Sequence, residues 1–294
     1  MRRPLSEENF AFILITPAVI IIFSIVLYPI LKTLYMSFFN IDLTNPFSRP
    51  FVGLGNYLEI LCGPTFWNAM VRTVYFAVVS ISMEFILGIS IALLLNEDFY
   101  GRWLLRSLII IPWAIPTIVN GSLWRWIFNP QYGALNALLT QIGLIDSYQS
   151  WLGSPFLALN MVIVADVWKM TPLVVIMILA GLQTIPHELY ESAGVDGANV
   201  LKRFFHITLP MLKPTILIVL ILRTMETFKV FDIIYIMTSG GPANGTQLIT
   251  YYTYREAFSY LHLSKGATLA FLISLTILGL SIIYVKALGT KTEY

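Results

Sequence analysis

Charged residues are scarce in this sequence, and cysteine is almost absent. Aspartate, glutamate, lysine and arginine make up 12% of the 294 residues, whereas soluble domains carry about 25%. Hydrophobic residues make up 57%, which is typical of an integral membrane protein. The single cysteine, Cys62, excludes an internal disulfide and a cysteine metal cluster. The formal net charge of +2 gives no indication of a nucleic-acid partner.

Motifs for catalysis and nucleotide binding are also missing. The sequence contains no H-E-x-x-H, no G-x-S-x-G and no Walker G-x-x-x-x-G-K-[ST]. The three histidines, His187, His206 and His262, fit no metal-ligand spacing. We therefore expect a non-enzymatic subunit that binds no metal and no cofactor of its own. If ATP drives its function, another chain must hydrolyse that ATP.

Six apolar segments are long enough to cross a bilayer, which takes about 20 helical residues. They are residues 10–31, 69–95, 107–128, 156–182, 214–237 and 266–288. The first segment is too long for the apolar part of a signal peptide, and no small-x-small cleavage site follows it, so we expect an uncleaved span. The sequence predicts an all-α membrane protein with six transmembrane helices in a single domain, residues 1–294.

Lysine and arginine are unequally divided between the two sets of loops. One set carries Arg2, Arg3, Arg102, Arg106, Lys202, Arg203, Lys213, Lys286 and Lys291. The other carries Arg49 and Arg255, while Lys32, Arg72 and Lys265 lie at span ends. Because cytoplasmic loops are rich in lysine and arginine, the first set should be cytoplasmic. Both termini and the loop 183–213, between spans four and five, are then predicted to face the cytoplasm.

The loop 183–213 is polar and has the pattern of a helical hairpin. Pro186 suits the start of a short helix, and Asp196-Gly197 marks a turn. Residues 198–206 predict a second short helix that ends before Pro210 and Pro214. The candidate docking residues are Glu188, Leu189, Tyr190, Glu191, Ala193, Asp196 and Gly197.

This loop resembles the EAA motif of the membrane-spanning permease subunits of bacterial and archaeal ABC importers. The matching residues are Glu191, Ala193, Gly197, Ile207, Leu209 and Pro210. Ser192 replaces the alanine that is usual in the family, and both residues are small. Other stretches resemble the carbohydrate branch, the permeases of the maltose/trehalose and glycerol-phosphate type; they are residues 51–57, 111–112, 231–235 and 238–242. Residues 84–88 and 167–172 look most like the trehalose and maltose permeases.

The resemblance implies an importer of a prokaryotic cell membrane. This chain would form half of the path for a sugar, such as the disaccharides trehalose or maltose. Its implied partners are a second homologous permease subunit, two ATP-binding cassette ATPase subunits that hold ATP and Mg²⁺, and an extracytoplasmic sugar-binding protein. The EAA loop would be the coupling helix that contacts an ATPase. Two alternatives stay open, namely another solute such as glycerol phosphate and a polytopic membrane protein outside the ABC importers.

Ionisable residues inside the spans are costly in lipid and indicate function. Arg223, Glu226, Lys229 and Asp232 follow one another at intervals of three and predict a polar stripe along span five. Such residues would either pair with each other and with a neighbouring helix, or line the path and bind sugar hydroxyls; pairing is favoured for Asp232. Proline inside a span frees carbonyls, as at Pro112, Pro116 and Pro172. The candidate path residues are Glu84, Asn120, Trp124, Asp166, Trp168, Arg223, Glu226 and Lys229. Each of the two tryptophans would either pack against neighbouring helices or provide an aromatic face on which a sugar could stack.

Overall fold

The computed structural model describes residues 7–45 and 47–288. Within these residues the chain forms helices and turns but no strand, and its two isolated bridges join Phe39 to Phe51 and Asp42 to His262. Three cations that contribute to the predicted orientation, Arg2, Arg3 and Lys291, lie outside the described residues.

The helices are numbered in chain order. They are α1 (Glu7–Ile22), α2 (Tyr28–Ser37), α3 (Gly55–Cys62), α4 (Pro64–Asn96), α5 (Arg102–Ile109), α6 (Ile111–Ala114), α7 (Thr117–Ile127), α8 (Ala134–Gln141), α9 (Pro155–Leu182), α10 (His187–Val195), α11 (Val200–Arg203), α12 (Leu209–Thr227), α13 (Asp232–Met237), α14 (Ile249–Tyr254) and α15 (Leu263–Leu288). Wider π-helical turns lie at Phe23–Leu27, Phe204–Thr208 and Arg255–Ser259.

Five helical stretches are long and apolar enough to cross a membrane. They are Asn9–Ser37, Pro64–Asn96, Pro155–Leu182, Val200–Thr227 and Leu263–Leu288. A sixth candidate is the pair Arg102–Ala114 and Thr117–Ile127, whose two parts are bent by 92°. Each of the six predicted segments overlaps one of these stretches. The prediction of an all-helical membrane protein is therefore confirmed, and the six predicted spans correspond to five helices and one bent pair.

The third span is broken rather than continuous over residues 107–128. Ile115 and Pro116 have extended backbones, with ψ of 130° and 140°. A proline disfavours the helical conformation of the residue before it and has no N–H to donate. The helix therefore stops at Ala114 and restarts at Thr117. By contrast, Pro172 lies inside α9, which continues past it to Leu182.

The fifth span differs from the prediction at both ends. At its start, α11 continues into α12 through the turn Phe204–Thr208, where the Leu209 N–H donates to the Phe204 carbonyl five residues back. Pro210 then lies in the first turn of α12, where proline is tolerated, so the predicted helix end before it is wrong. At its far end, α12 stops at Thr227 and the chain turns before α13. The predicted helix to Met237 is therefore wrong as well.

The chain divides into two compact units. The first holds residues up to Pro64 and Thr253–Leu272, and the second holds Thr65–Tyr252 and the residues from Ile273 onward. The prediction of one domain over residues 1–294 stays a prediction. In the first unit, Ser264 Oγ accepts a hydrogen bond of 2.7 Å from the Ile41 N–H. Hydrogen bonds from the Thr44 hydroxyl and N–H lower the pKa of the Asp42 carboxyl in the same unit.

In the second unit, α9 is the central helix. It contributes Val162 and Ile163 to an apolar cluster with Phe76, Ile233 and Leu248. A second apolar cluster receives Val174, Val175 and Ile178 from α9, Ala92 from α4, and Leu212 and Val219 from α12. Because α9 contributes side chains to both clusters, it fixes the positions of α4 and α12 next to the polar residues described below.

Candidate solute path and coupling loop

A buried arginine lies at the centre of the polar residues in the second unit. Arg223 on α12 is 1% exposed, and Glu84 on α4 is 0% exposed. Arg223 Nε lies 2.6 Å from Glu84 Oε2, and Nη2 lies 2.7 Å from Oε1. The two parallel hydrogen bonds form the bidentate pairing in which a guanidinium and a carboxylate are most strongly and most specifically held.

Two further carboxylates bind the same guanidinium. Arg223 Nη1 donates to Glu226 Oε2 over 2.7 Å, one turn along α12. Nη2 also donates to Asp166 Oδ2 of α9 over 3.3 Å. Arg223 thus connects three helices through charged hydrogen bonds. Removing one partner of a buried ion pair is costly, so these contacts favour an arrangement in which the three helices keep their charged side chains together.

Lys169 on α9 stabilises the break in the third span. Its Nζ donates to the carbonyls of Trp113 and Ile115, at 3.1 and 2.6 Å. These carbonyls lie where the helix stops, so they have no partner further along the helix. Asn120, near the start of α7, is fully buried and donates from Nδ2 to the carbonyl of Ala165. The break is therefore held against α9 on both of its sides.

These elements border an open cavity of about 210 Å³. Its lining residues are Thr117, Asp166, Lys169, Met170, Arg223, Glu226, Lys229, Val230, Phe231, Asp232 and Ile233. Glu226 and Lys229 are exposed to it, and the side chain of Glu226 retains 49% exposure. In the described part of the chain, Lys229 and Asp232 make no ion pair. The lining of the cavity therefore combines charged groups that are paired, such as Arg223, with charged groups that make no ion pair, such as Lys229.

The structure brings together only part of the predicted path. Asp166, Arg223, Glu226 and Lys229 line the cavity, whereas Glu84 and Asn120 are buried and do not. Trp124 and Trp168 do not line it either; their rings lie 5.9 Å apart, tilted by 73°.

The predicted stripe along one helix is wrong, because Lys229 and Asp232 follow the end of α12. Thr117 and the apolar lining residues Val230, Phe231 and Ile233 were not among the predicted path residues. The only available signal for Thr117 was its position directly after Pro116.

The predicted coupling loop contains the short helix α10 and a glycine turn. Pro186 precedes the first helical residue, His187. Gly197 has a φ of +72°. The Ala198 N–H donates to the Ala193 carbonyl over 2.8 Å, and the Gly197 N–H to the Gly194 carbonyl over 3.1 Å. This pair of hydrogen bonds is the Schellman arrangement, which ends a helix at a glycine in the left-handed conformation.

The residues of α10 divide between two environments. Tyr190 is half-buried, packs against the second apolar cluster and places its hydroxyl 2.9 Å from Thr208 Oγ1. Glu188, Leu189 and Glu191 are exposed, so α10 does not bury all of its apolar side chains. Large apolar side chains at the end of α10 and beyond the turn are also exposed; they are Val195, Val200, Leu201 and Phe205. Tyr190 therefore anchors α10 to the bundle, and the opposite face stays open.

Comparison with known proteins identifies the family. Residues 84–288 match the family model of the binding-protein-dependent transport system inner membrane component. The chain belongs to this family. Proteins of this family are transport subunits of the inner membrane, and the apolar helices of this chain are those of a multi-pass membrane protein.

Two curated relatives align over nearly the whole chain. The trehalose/maltose transport system permease protein MalF of Thermococcus litoralis is 41% identical, covering 95% of this chain and 94% of its own length. The sulfoquinovosyl glycerol transport system permease protein SmoG of Agrobacterium fabrum is 36% identical, covering 98% and 92%.

Solved structures show the same fold. A chain of a bacterial ABC transporter that imports the acidic polysaccharide alginate superposes with a TM-score of 0.82 at 22% identity, covering 97% of this chain and 96% of its own. A chain of the alginate transporter in complex with its pentasaccharide-bound periplasmic protein has a TM-score of 0.80 at 24% identity, covering 95% and 93%. The helices of this chain therefore adopt the ABC permease fold.

Proposed function

We propose that this chain is a permease subunit of an ATP-driven sugar importer, with a disaccharide such as trehalose or maltose as its solute. The observation that carries the proposal is the full-length similarity to a trehalose/maltose permease. The proposed importer also contains an extracytoplasmic sugar-binding protein, in keeping with the name of the family. The termini and the coupling loop would face the cytoplasm, following the distribution of lysine and arginine.

The charges of the cavity favour a neutral solute. Arg223 is occupied by three carboxylates, and Lys169 by two backbone carbonyls. Among the described residues, Lys229 is then the cation of the cavity lining with neither an ion pair nor a hydrogen bond from its side chain, and the carboxylates of Glu226 and Asp232 also line the cavity. A phosphate would require unpaired cations, whereas sugar hydroxyls accept from an ammonium and donate to carboxylates.

The size of the cavity supports a path shared with a second chain. Ligand pockets usually measure about 300–1,000 Å³, and the cavity of this chain measures about 210 Å³. A second, homologous permease subunit would supply the remaining wall. Two ATPase subunits would hold ATP and Mg²⁺, and this chain would need no cofactor of its own.

The open face of α10 is the proposed contact with an ATPase. Glu188 and Glu191 offer carboxylates, and Val195 offers an apolar side chain that is 90% exposed. An exposed apolar residue bordered by charges is typical of a protein-binding site. The Schellman turn at Gly197 fixes the direction of α10 relative to α11. The helix thus presents one surface in a constant orientation.

The experiment is reconstitution of the complete importer in proteoliposomes, with uptake of labelled trehalose and maltose as the readout. Uptake of either sugar, outcompeted by the unlabelled sugar but not by glycerol 3-phosphate, supports the assignment. Uptake blocked by glycerol 3-phosphate alone would contradict it.

A charge reversal tests the coupling surface in the same assay. Glu191→Lys should abolish uptake while the complex still reaches the membrane. Asp146→Lys, the matched control, reverses an exposed carboxylate in the loop 129–155 and should leave uptake intact. Uptake at the wild-type rate by Glu191→Lys would refute the proposed ATPase contact.

A further inference from the structure

Glu84 is the only partner of the Arg223 guanidinium in the described residues that does not line the cavity. Its carboxylate is 0% exposed, and both of its oxygens are bonded to Arg223. It therefore cannot touch a solute in this conformation. Any effect of Glu84 on the path must pass through the guanidinium.

The bidentate pairing determines where Arg223 points. With Nε and Nη2 held by Glu84, the plane of the guanidinium is fixed, and Nη1 is directed at Glu226. The contact with Asp166 uses one oxygen and is longer, at 3.3 Å. A single longer hydrogen bond does not fix the plane, because only two parallel hydrogen bonds define the orientation of the group.

Glu226 is the side chain on which this orientation acts. One oxygen, Oε2, accepts from Arg223 Nη1 over 2.7 Å. The other, Oε1, has no hydrogen-bond partner within the described residues, and the side chain is 49% exposed. Glu226 lines the cavity, so its second oxygen is available to a solute while Arg223 holds the first.

We infer that Glu84 is a positioning residue of the solute path. It holds Arg223 so that the Glu226 carboxylate presents its free oxygen to a sugar hydroxyl. This inference rests on the proposed function, because it requires that sugar passes the cavity. It assigns direct contact to Glu226 and an indirect role to Glu84.

A double-mutant cycle in the reconstituted importer tests the inference. The variants are Glu84→Gln, Glu226→Gln and the double variant, and the readout is the initial rate of uptake at subsaturating trehalose or maltose, whichever the wild type imports. We expect each single variant to lose about tenfold, since hydrogen bonds to charged groups are stronger than neutral ones. The double variant should be no slower than Glu226→Gln alone, because Glu84 acts only through Glu226.

A purely structural role of Glu84 gives a different result. The losses would then multiply in the double variant, and that outcome would overturn the inference. Unchanged uptake by Glu84→Gln alongside a slow Glu226→Gln would also overturn it, while leaving the proposed sugar path in place. Wild-type uptake by both Glu226→Gln and Lys229→Met would instead refute the path itself.

Two further variants keep the cycle interpretable. Glu97→Gln is the matched control, since Glu97 directly follows α4 and is exposed, and it should transport like the wild type. If Glu84→Gln fails to assemble, Glu84→Asp replaces it, because the shorter side chain keeps the charge but withdraws the carboxylate from Arg223. The same non-additivity with Glu226→Gln is expected.

Discussion

Replacing Arg223 with methionine should strongly destabilise the protein. The side chain is 1% exposed, and its loss leaves the carboxylate of Glu84, at 0% exposure, without a partner. Breaking one side of a buried ion pair costs about 3–5 kcal/mol. For a unit of this size that corresponds to a melting temperature lower by about 6–20 °C.

The assay is thermal denaturation of the purified importer in detergent, followed by tryptophan fluorescence. Lys229→Met is the matched control, because it makes the same replacement at an exposed position without an ion pair in the described residues. Its effect should stay below about 1 kcal/mol.

A second substitution separates an unpaired charge from lost packing. In the Arg223→Met background, Glu84→Leu removes the more deeply buried of the two stranded carboxylates and should restore part of the stability, since apolar replacement of a buried pair is often close to neutral, while Asp166 still lacks its arginine partner. A melting temperature of Arg223→Met within about 2 °C of the wild type would refute the reasoning. A double variant less stable than Arg223→Met would also refute it.

Three other outcomes follow from the backbone and the helix contacts. Gly197→Val should slow sugar uptake, because a residue with a Cβ pays about 1–2 kcal/mol to adopt a φ of +72°. Gly197→Asn should retain most of the uptake rate, because asparagine tolerates this conformation. Equal uptake rates for the two variants would contradict the role of the backbone conformation. Lys169→Met should lower stability by about 1–3 kcal/mol in thermal denaturation by leaving two carbonyls unbonded, and an effect no larger than that of Lys229→Met would count against the capping role. Gly88→Ala should lower stability by about 1–3 kcal/mol, since its Cβ would lie 2.6 Å from a side-chain carbon of Val174 on α9. Gly279→Ala, with nothing within 4 Å of the added Cβ, should melt like the wild type. Equal melting temperatures for the two variants would show that α4 and α9 can move apart at no cost.

The spans could be predicted from the sequence, whereas their interruptions could not. Length and hydropathy are local properties, so each predicted segment overlaps a helix. Pro116 and Pro210 look alike in the sequence, yet the chain breaks at the first and continues through the second. The two prolines differ in their surroundings. Lys169 of another helix binds the freed carbonyls at the break, whereas Pro210 follows a π-helical turn that continues into α12.

The site could be predicted as a set of residue types but not as a set of partners. Buried charges in apolar spans pointed to Glu84, Asp166 and Arg223. Their pairing could not be predicted, because 139 positions separate Glu84 from Arg223 and only helix packing brings them together. The stripe through Lys229 failed for a related reason: spacing by three has meaning only while the helix continues, and α12 ends at Thr227.

The uninterrupted helix from Val200 to Thr227 has a mechanical consequence. At 1.5 Å per residue, its 28 residues span about 42 Å, and Arg223 lies one turn from the far end. Since Glu84 and Asp166 hold Arg223 from two other helices, α12 resists torsion about its own axis. A force applied near Val200 would then reach the cavity as a tilt shared by α4, α9 and α12. Spin labels on α4 and α12 should accordingly keep a constant separation throughout the transport cycle, and a change in that separation would show that the helices twist independently.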